Sequence, residues 1–234
     1  MAQKLEPPRT WAPGPSSATT PTGTRALLAC GVVAGPLFVA VGLLQMLTRD
    51  GFDPTRHPLS LLSLGDLGWV QIANFVVAGL LFAASAVGMR RVLHPGRGGT
   101  WGPRLVGVYG AALVMGGVFV ADPALGFPPG TPDGIPDQMS WHGALHSVAP
   151  VLASLALVAA CLVFARRFAA EGRRGWAAAS LAVAVIDLVP AAFSGHDLFF
   201  VALGVAVAVG LGWLSVLAAR LRAELPATSG ARLG

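Results

Sequence analysis

The chain has 234 residues, of which 54% are hydrophobic and only 12% charged, with a net charge of +5. Water-soluble domains carry about 25% charged residues, because a surface facing water needs them, so a soluble globule is excluded. The length allows one compact bundle and no separate soluble domain of useful size.

The basic excess does not point to nucleic acid. The Lys and Arg residues sit in short clusters beside apolar runs, where they act as topological anchors. Residues 1–24, rich in Pro, Ser, Thr and Gly, are expected to form a disordered cytoplasmic tail. The first apolar run is longer than a signal-peptide core and lacks a small-residue cleavage site, which predicts a retained helix.

Six stretches reach the length of about 17–25 apolar residues that a spanning helix needs. They are 26–48, 69–89, 103–121, 142–165, 176–193 and 198–219, within a membrane domain over 25–220 that is followed by a cytoplasmic tail over 221–234. Alternating strand patterns are missing, which excludes a β-barrel. The expected fold is therefore an all-α, polytopic membrane bundle of six transmembrane helices.

Fourteen of the sixteen Lys and Arg residues fall on one side of these stretches, leaving Arg49 and Arg56 opposite. The positive-inside rule then predicts that both termini are cytoplasmic and that the protein is multi-pass in the plasma membrane. Two outer loops are long and rich in Gly and Pro, 49–68 and 122–141, whereas Ser194–Asp197 is a tight turn that makes helices five and six neighbours. Pro58 is expected to open a short helix through Leu64. Cys30 and Cys161 lie in apolar runs and read as buried thiols rather than a disulfide.

The outer side collects the polar chemistry. His57, His142, His146 and His196 all belong to it, with Asp53, Arg56, Asp122, Asp133, Asp137 and Asp197 nearby in the predicted topology. His142 and His146 are four residues apart, so their imidazoles share one helical face. Together with His196 they are candidate ligands for a divalent metal such as zinc, with Asp122 as a further ligand. The glutamate of an HExxH protease motif is missing. The competing reading gives His142 to the interface and His146 to a loop carbonyl.

Asp187 interrupts a long apolar run, and a carboxylate at that depth costs several kcal/mol unless it is protonated, paired or hydrated. Pro190 three residues later frees a backbone carbonyl and predicts a kinked, hydrated pocket. Asp187, Asp122 and His57 are therefore the candidate catalytic groups, and Arg49, Asp53 and Arg56 are candidate substrate contacts from the first outer loop. Gln45 and Asn74 are expected to join helices. Ser85, Ser154 and Ser180 are expected to bond to their own helix carbonyls.

The run from Thr48 to Asp53, then Arg56-His57-Pro58-Leu59-Ser60, then Gly68-Trp69 with Gln71 and Asn74-Phe75, form a first signature. Asp122-Pro123-Ala124, the run Gly126 to Gly130, and His142-Gly143 through His146 form a second, and Gly35-Pro36-Leu37-Phe38 lies in the first span. As a set these resemble the membrane family catalogued as domain of unknown function 998, over residues 25–220. The resemblance implies a six-span prokaryotic membrane protein and implies no reaction.

Three functions are open at this point. One is a metal-dependent hydrolase or transferase acting on a lipid or headgroup at the outer leaflet. Another is a proton-coupled small-molecule carrier with Asp187 as relay. The third is a non-catalytic accessory or binding subunit. A bis-histidine haem would need histidines facing each other across two helices, which only His142 or His146 with His196 or His57 offers.

Overall fold

The computed structural model describes residues 21–226. The expected tails fall largely outside these residues. Six helices follow in chain order: α1 (Pro21–Thr48), α2 (Gly68–Leu93), α3 (Trp101–Val118), α4 (Trp141–Ala170), α5 (Arg174–Ala192) and α6 (Phe199–Ala223). The described residues contain no strand beyond a single bridge between Ala124 and Phe127. The first helix starts five residues ahead of the expected span, at Pro21.

Each helix packs against the next, and α1 closes the circle on α6, so the six form a ring in chain order. The main core fills this ring with Phe38, Phe82, Phe164, Leu211 and Leu214, each at most 2% exposed. Yet the outer faces are apolar too: Leu47 is 85% exposed and Leu155 is 65% exposed. A helix apolar on all sides belongs in lipid rather than at a water-facing surface. Five of the six helices are long and apolar enough to cross a membrane, which makes the chain a multi-pass membrane protein.

The exception is α3. Its 18 residues include Gly102, Pro103, Arg104, Gly107, Gly110, Gly116 and Gly117, which dilute its hydropathy. Those glycines let α3 press against its neighbour α2: a Cβ at Gly79 of α2 would strike the Gly110 carbonyl oxygen, and one at Gly110 would lie 2.5 Å from that of Gly79. Small residues at a crossing are how helices associate where no hydrophobic force acts between them.

The two ends of the ring differ. One end holds the long loops and most histidines; the other is basic. At the basic end Glu224 joins Arg173 at 2.8 Å and Arg220 at 3.0 Å, while Arg167 pairs with Glu171 at 2.9 Å. Arg220 also lies over the Trp176 ring, 4.4 Å from its centroid. These contacts tie the ends of α4, α5 and α6 together. The free thiols lie within the bundle, with Cys161 buried and Cys30 half-buried.

Candidate functional site

The loop-rich end is built as a lid over a cavity. In the first loop, Pro58 precedes a short 3-10 turn, Leu59–Ser63, shorter than the helix expected through Leu64. Its residues Leu61 and Leu62 bury with Phe127 of the second loop in a small core of their own, against Phe52 and Leu125.

Four predicted site residues, Arg49, Asp53, Arg56 and His57, turn out to assemble this lid. Arg49 donates to the Leu62 carbonyl at 3.1 Å and to the Leu64 carbonyl at 2.5 Å, and its guanidinium sits over the Phe127 ring. His57 is 4% exposed and packs against Phe52 and Phe127. The Asp53 N–H donates to its Nδ1 at 2.9 Å, so the hydrogen is on Nε2, which donates to the Leu125 carbonyl at 2.9 Å. With both ring nitrogens bonded to backbone, His57 is a clasp between the loops and has no nitrogen left for proton transfer.

Asp53 closes a local turn, accepting from the Thr55 N–H at 2.8 Å and the Thr55 hydroxyl at 2.7 Å. The Thr55 hydroxyl above all, then its N–H, holds the Asp53 carboxyl below the usual aspartate range. Arg56 pairs with Asp133 of the other loop at 3.0 Å, both well exposed.

The second group fastens α4 to the end of α3. Ser140 caps α4 by accepting from the Gly143 N–H at 3.0 Å. Asp122 in turn accepts from the Ser140 N–H at 2.8 Å and from its hydroxyl at 2.5 Å. That hydroxyl bond is the main reason the Asp122 carboxyl lies below the usual aspartate range. His142 Nδ1 lies 2.8 Å from the Val120 carbonyl, so it must be the donor. His146 Nδ1 donates likewise to the Phe119 carbonyl at 2.7 Å and the Gly116 carbonyl at 3.1 Å, carbonyls at the end of α3 that helix geometry leaves open.

His142 and His146 thus keep only Nε2 for any other partner. His196 stands apart, exposed on the turn between α5 and α6. Among the described residues no group of three or more His, Cys, Asp or Glu side chains is arranged to hold a metal ion.

Beneath the lid lies a partly open cavity of about 460 Å³ within the ring. Its wall is mostly apolar, with Phe38, Phe75, Leu113, Phe200 and Leu203 among its members. Asp122, His146 and Ser147 line it near the lid, and Tyr109, Ser154 and Asp187 line it deeper in the ring. Along α4 the eight residues from His146 to Ser154 separate the two polar groups by roughly 12 Å.

Asp187 is half-buried, and its carboxylate accepts from the Ser154 hydroxyl at 2.5 Å. No Lys, Arg or His pairs with it among the described residues. The expectation that Ser154 bonds to its own helix is therefore corrected. Ser180 does bond to the Trp176 carbonyl, while the Ser85 hydroxyl is buried without a partner.

Pro150 of α4 also lines the cavity, and its ring removes the donor that would serve the His146 carbonyl. Gly204 of α6 leaves the wall open: a Cβ built there meets nothing within 4 Å. Tyr109 and Gly204 carry no signal in the sequence, and Ser154 reads there as an ordinary helix serine, because only the cavity assigns them their place. Gln45 and Asn74 join helices as expected, Gln45 donating to Gln71 at 2.7 Å and Asn74 to the Phe38 carbonyl at 3.1 Å.

Fold and site together define a helical, multi-pass membrane protein with a lidded cavity inside its ring of helices. The family model described as protein of unknown function (DUF998) matches residues 32–220, and the chain belongs to that family. Neither the curated proteins nor the solved structures contain a match to it.

Proposed function

We propose that this protein binds an amphipathic small molecule or lipid in the cavity under its lid, with Asp187 as the contact for the ligand's polar part. The observation that supports this reading is the position of Asp187: a carboxylate on the wall of a 460 Å³ apolar cavity, with Ser154 as its hydrogen-bond partner. Intramembrane acids mark substrate or proton pathways, because an idle one would be costly in lipid. A cavity of this size matches a small-molecule site, mostly apolar with a few convergent polar groups. The ligand that fits has an apolar body and a head that donates hydrogen bonds or carries positive charge.

The reading favours a binding protein or carrier over a hydrolase. Asp122, His57, Arg49, Asp53 and Arg56 are all engaged in holding loops and helix ends together. The metal-dependent hydrolase remains a second reading on one specific ground, that His142 and His146 both leave Nε2 unbonded one helical turn apart. The proposal includes six spans with both termini cytoplasmic in a plasma membrane, supported by the segregation of basic residues to one end.

The test uses detergent-purified full chain, extracted and analysed by mass spectrometry for co-purifying amphiphiles, with parallel elemental analysis. Wild type is expected to retain an amphiphile that Gly204→Phe, which fills the cavity, and Asp187→Asn both lose while folding normally. Identical extracts from all three folded proteins would sink the proposal. About one zinc per chain, lost in His142→Ala/His146→Ala, would put the metal reading ahead.

A further inference from the structure

The basic end has two kinds of arginine. Arg167, Arg173 and Arg220 are paired with Glu171 or Glu224. Arg97, Arg104 and Arg166 are exposed, and among the described residues none has a carboxylate partner. These three surround one feature. The connection between α2 and α3 lies against the end of α4 and leaves a groove of about 480 Å³, lined by Arg97, Gly98 and Trp101 on one side and Val163, Arg166 and Ala170 on the other.

The groove is fixed in place. Arg167 reaches across to donate to the Arg97 carbonyl at 2.7 Å, and Gly98 sits so close to α4 that a Cβ would lie 3.0 Å from Val163. Val163, Arg166 and Ala170 recur at three and four residues, so they share one face of α4. Trp101 is 63% exposed, and the Arg104 guanidinium lies 5.3 Å from its ring centroid. Exposed tryptophan at the end of spanning helices sits at the depth of lipid headgroups.

We propose that this groove binds the phosphate of an anionic phospholipid headgroup. Arg97 and Arg166 line the groove without carboxylate partners among the described residues, and each carries a fork of donors that suits phosphate oxygens better than any neutral group. The apolar floor of Val163 and Ala170 accommodates the glycerol and the start of the acyl chains. A basic pocket between helices on the positively charged side of a membrane protein has the chemistry such headgroups require. The site is independent of the cavity under the lid, which lies at the opposite end of the ring.

The experiment is a titration of the detergent-purified full chain with phosphatidylglycerol or phosphatidylcholine, read by native mass spectrometry. Phosphatidylglycerol is expected to bind in preference to phosphatidylcholine. Arg97→Gln/Arg166→Gln should weaken it roughly 30-fold, the effect of two basic side chains at a lipid surface. Arg90→Gln/Arg91→Gln, which removes the same charge outside the groove, should change it less than threefold. Ala170→Glu, which occupies Arg166 in a pair one turn away, provides a second variant and should weaken binding as the double substitution does.

Equal binding of the two lipids would overturn the proposal, as would equal losses in the two double variants or full binding by Ala170→Glu. Glycerol phosphate is expected not to displace the lipid. Displacement at matched concentration would assign the groove to a soluble phosphate compound and overturn the lipid assignment.

Discussion

Two glycines separate the tight part of this molecule from the open part. At Gly79, where α2 crosses α3, a Cβ would meet backbone: the Gly110 carbonyl oxygen and the Val114 amide nitrogen. At Gly204, where α6 lines the cavity, a Cβ would meet nothing within 4 Å. The first is a glycine because two backbones must touch; the second faces space that the fold leaves unfilled. Helices in lipid gain stability from close van der Waals contact, so unfilled space among them forgoes contacts that packing would supply. The α2–α3 crossing is closed at Gly79, whereas the cavity wall at Gly204 stays open, and the proposed binding function gives that open space a use.

The most direct way to break this contrast is to place the same side chain at both positions. Gly79→Val has no flexible neighbour to displace and must drive α2 from α3, so it is expected to cost about 3 kcal/mol or more. Gly204→Val enters open space and is expected to stay within about 1 kcal/mol of wild type. Thermal unfolding of the two variants in the same detergent measures the difference. Equal losses would mean that the cavity wall is as closely packed as the α2–α3 crossing.

The contrast was only partly legible in the sequence. Long apolar runs identify helices because each must satisfy its backbone internally, and those runs correspond to the six helices. The third run is the weakest as a span, since the glycines that let α3 approach α2 lower its hydropathy. Asp187 stood out because one carboxylate in an apolar run has no cheap explanation. Ser154 and Tyr109 did not, since their role depends on which helices become neighbours around the ring.

The histidines teach the opposite lesson. Their clustering was visible, but an imidazole directed at a carbonyl and one directed at a ligand share the same spacing. His57, His142 and His146 are bonded to Leu125, Val120, Phe119 and Gly116 because of the register between loops and helix ends. No periodicity encodes that register.

The lid gives a second, smaller test. His57→Ala removes the bond between the loops and leaves the Leu125 carbonyl and the Asp53 N–H without their partners, an expected cost of about 2–3 kcal/mol. The cost should be local, since the lid core of Leu61, Leu62 and Phe127 is separate from the main core. Hydrogen exchange should rise across 52–66 and 121–135 while α2 and α3 stay protected. Loss of protection throughout would show that lid and ring unfold as one unit.

The smallest effect belongs to Asp122, and its pH dependence separates anchoring from chemistry. Its carboxylate holds the Ser140 cap of α4, so Asp122→Ala is expected to cost about 1 kcal/mol at neutral pH. Because folding lowers the Asp122 pKa from its ordinary value of 3.8, the stabilisation is fully present above that value. It is lost as pH falls through the lower folded pKa, so wild type should converge on Asp122→Ala only below about pH 4. Denaturant titrations of both proteins at pH 3 and 5, about one unit either side of that value, and at neutral pH follow the convergence. If the variant instead keeps full stability at every pH and loses the co-purifying amphiphile, Asp122 belongs to the cavity's binding chemistry, and the polar group near the lid is a second ligand contact above Asp187.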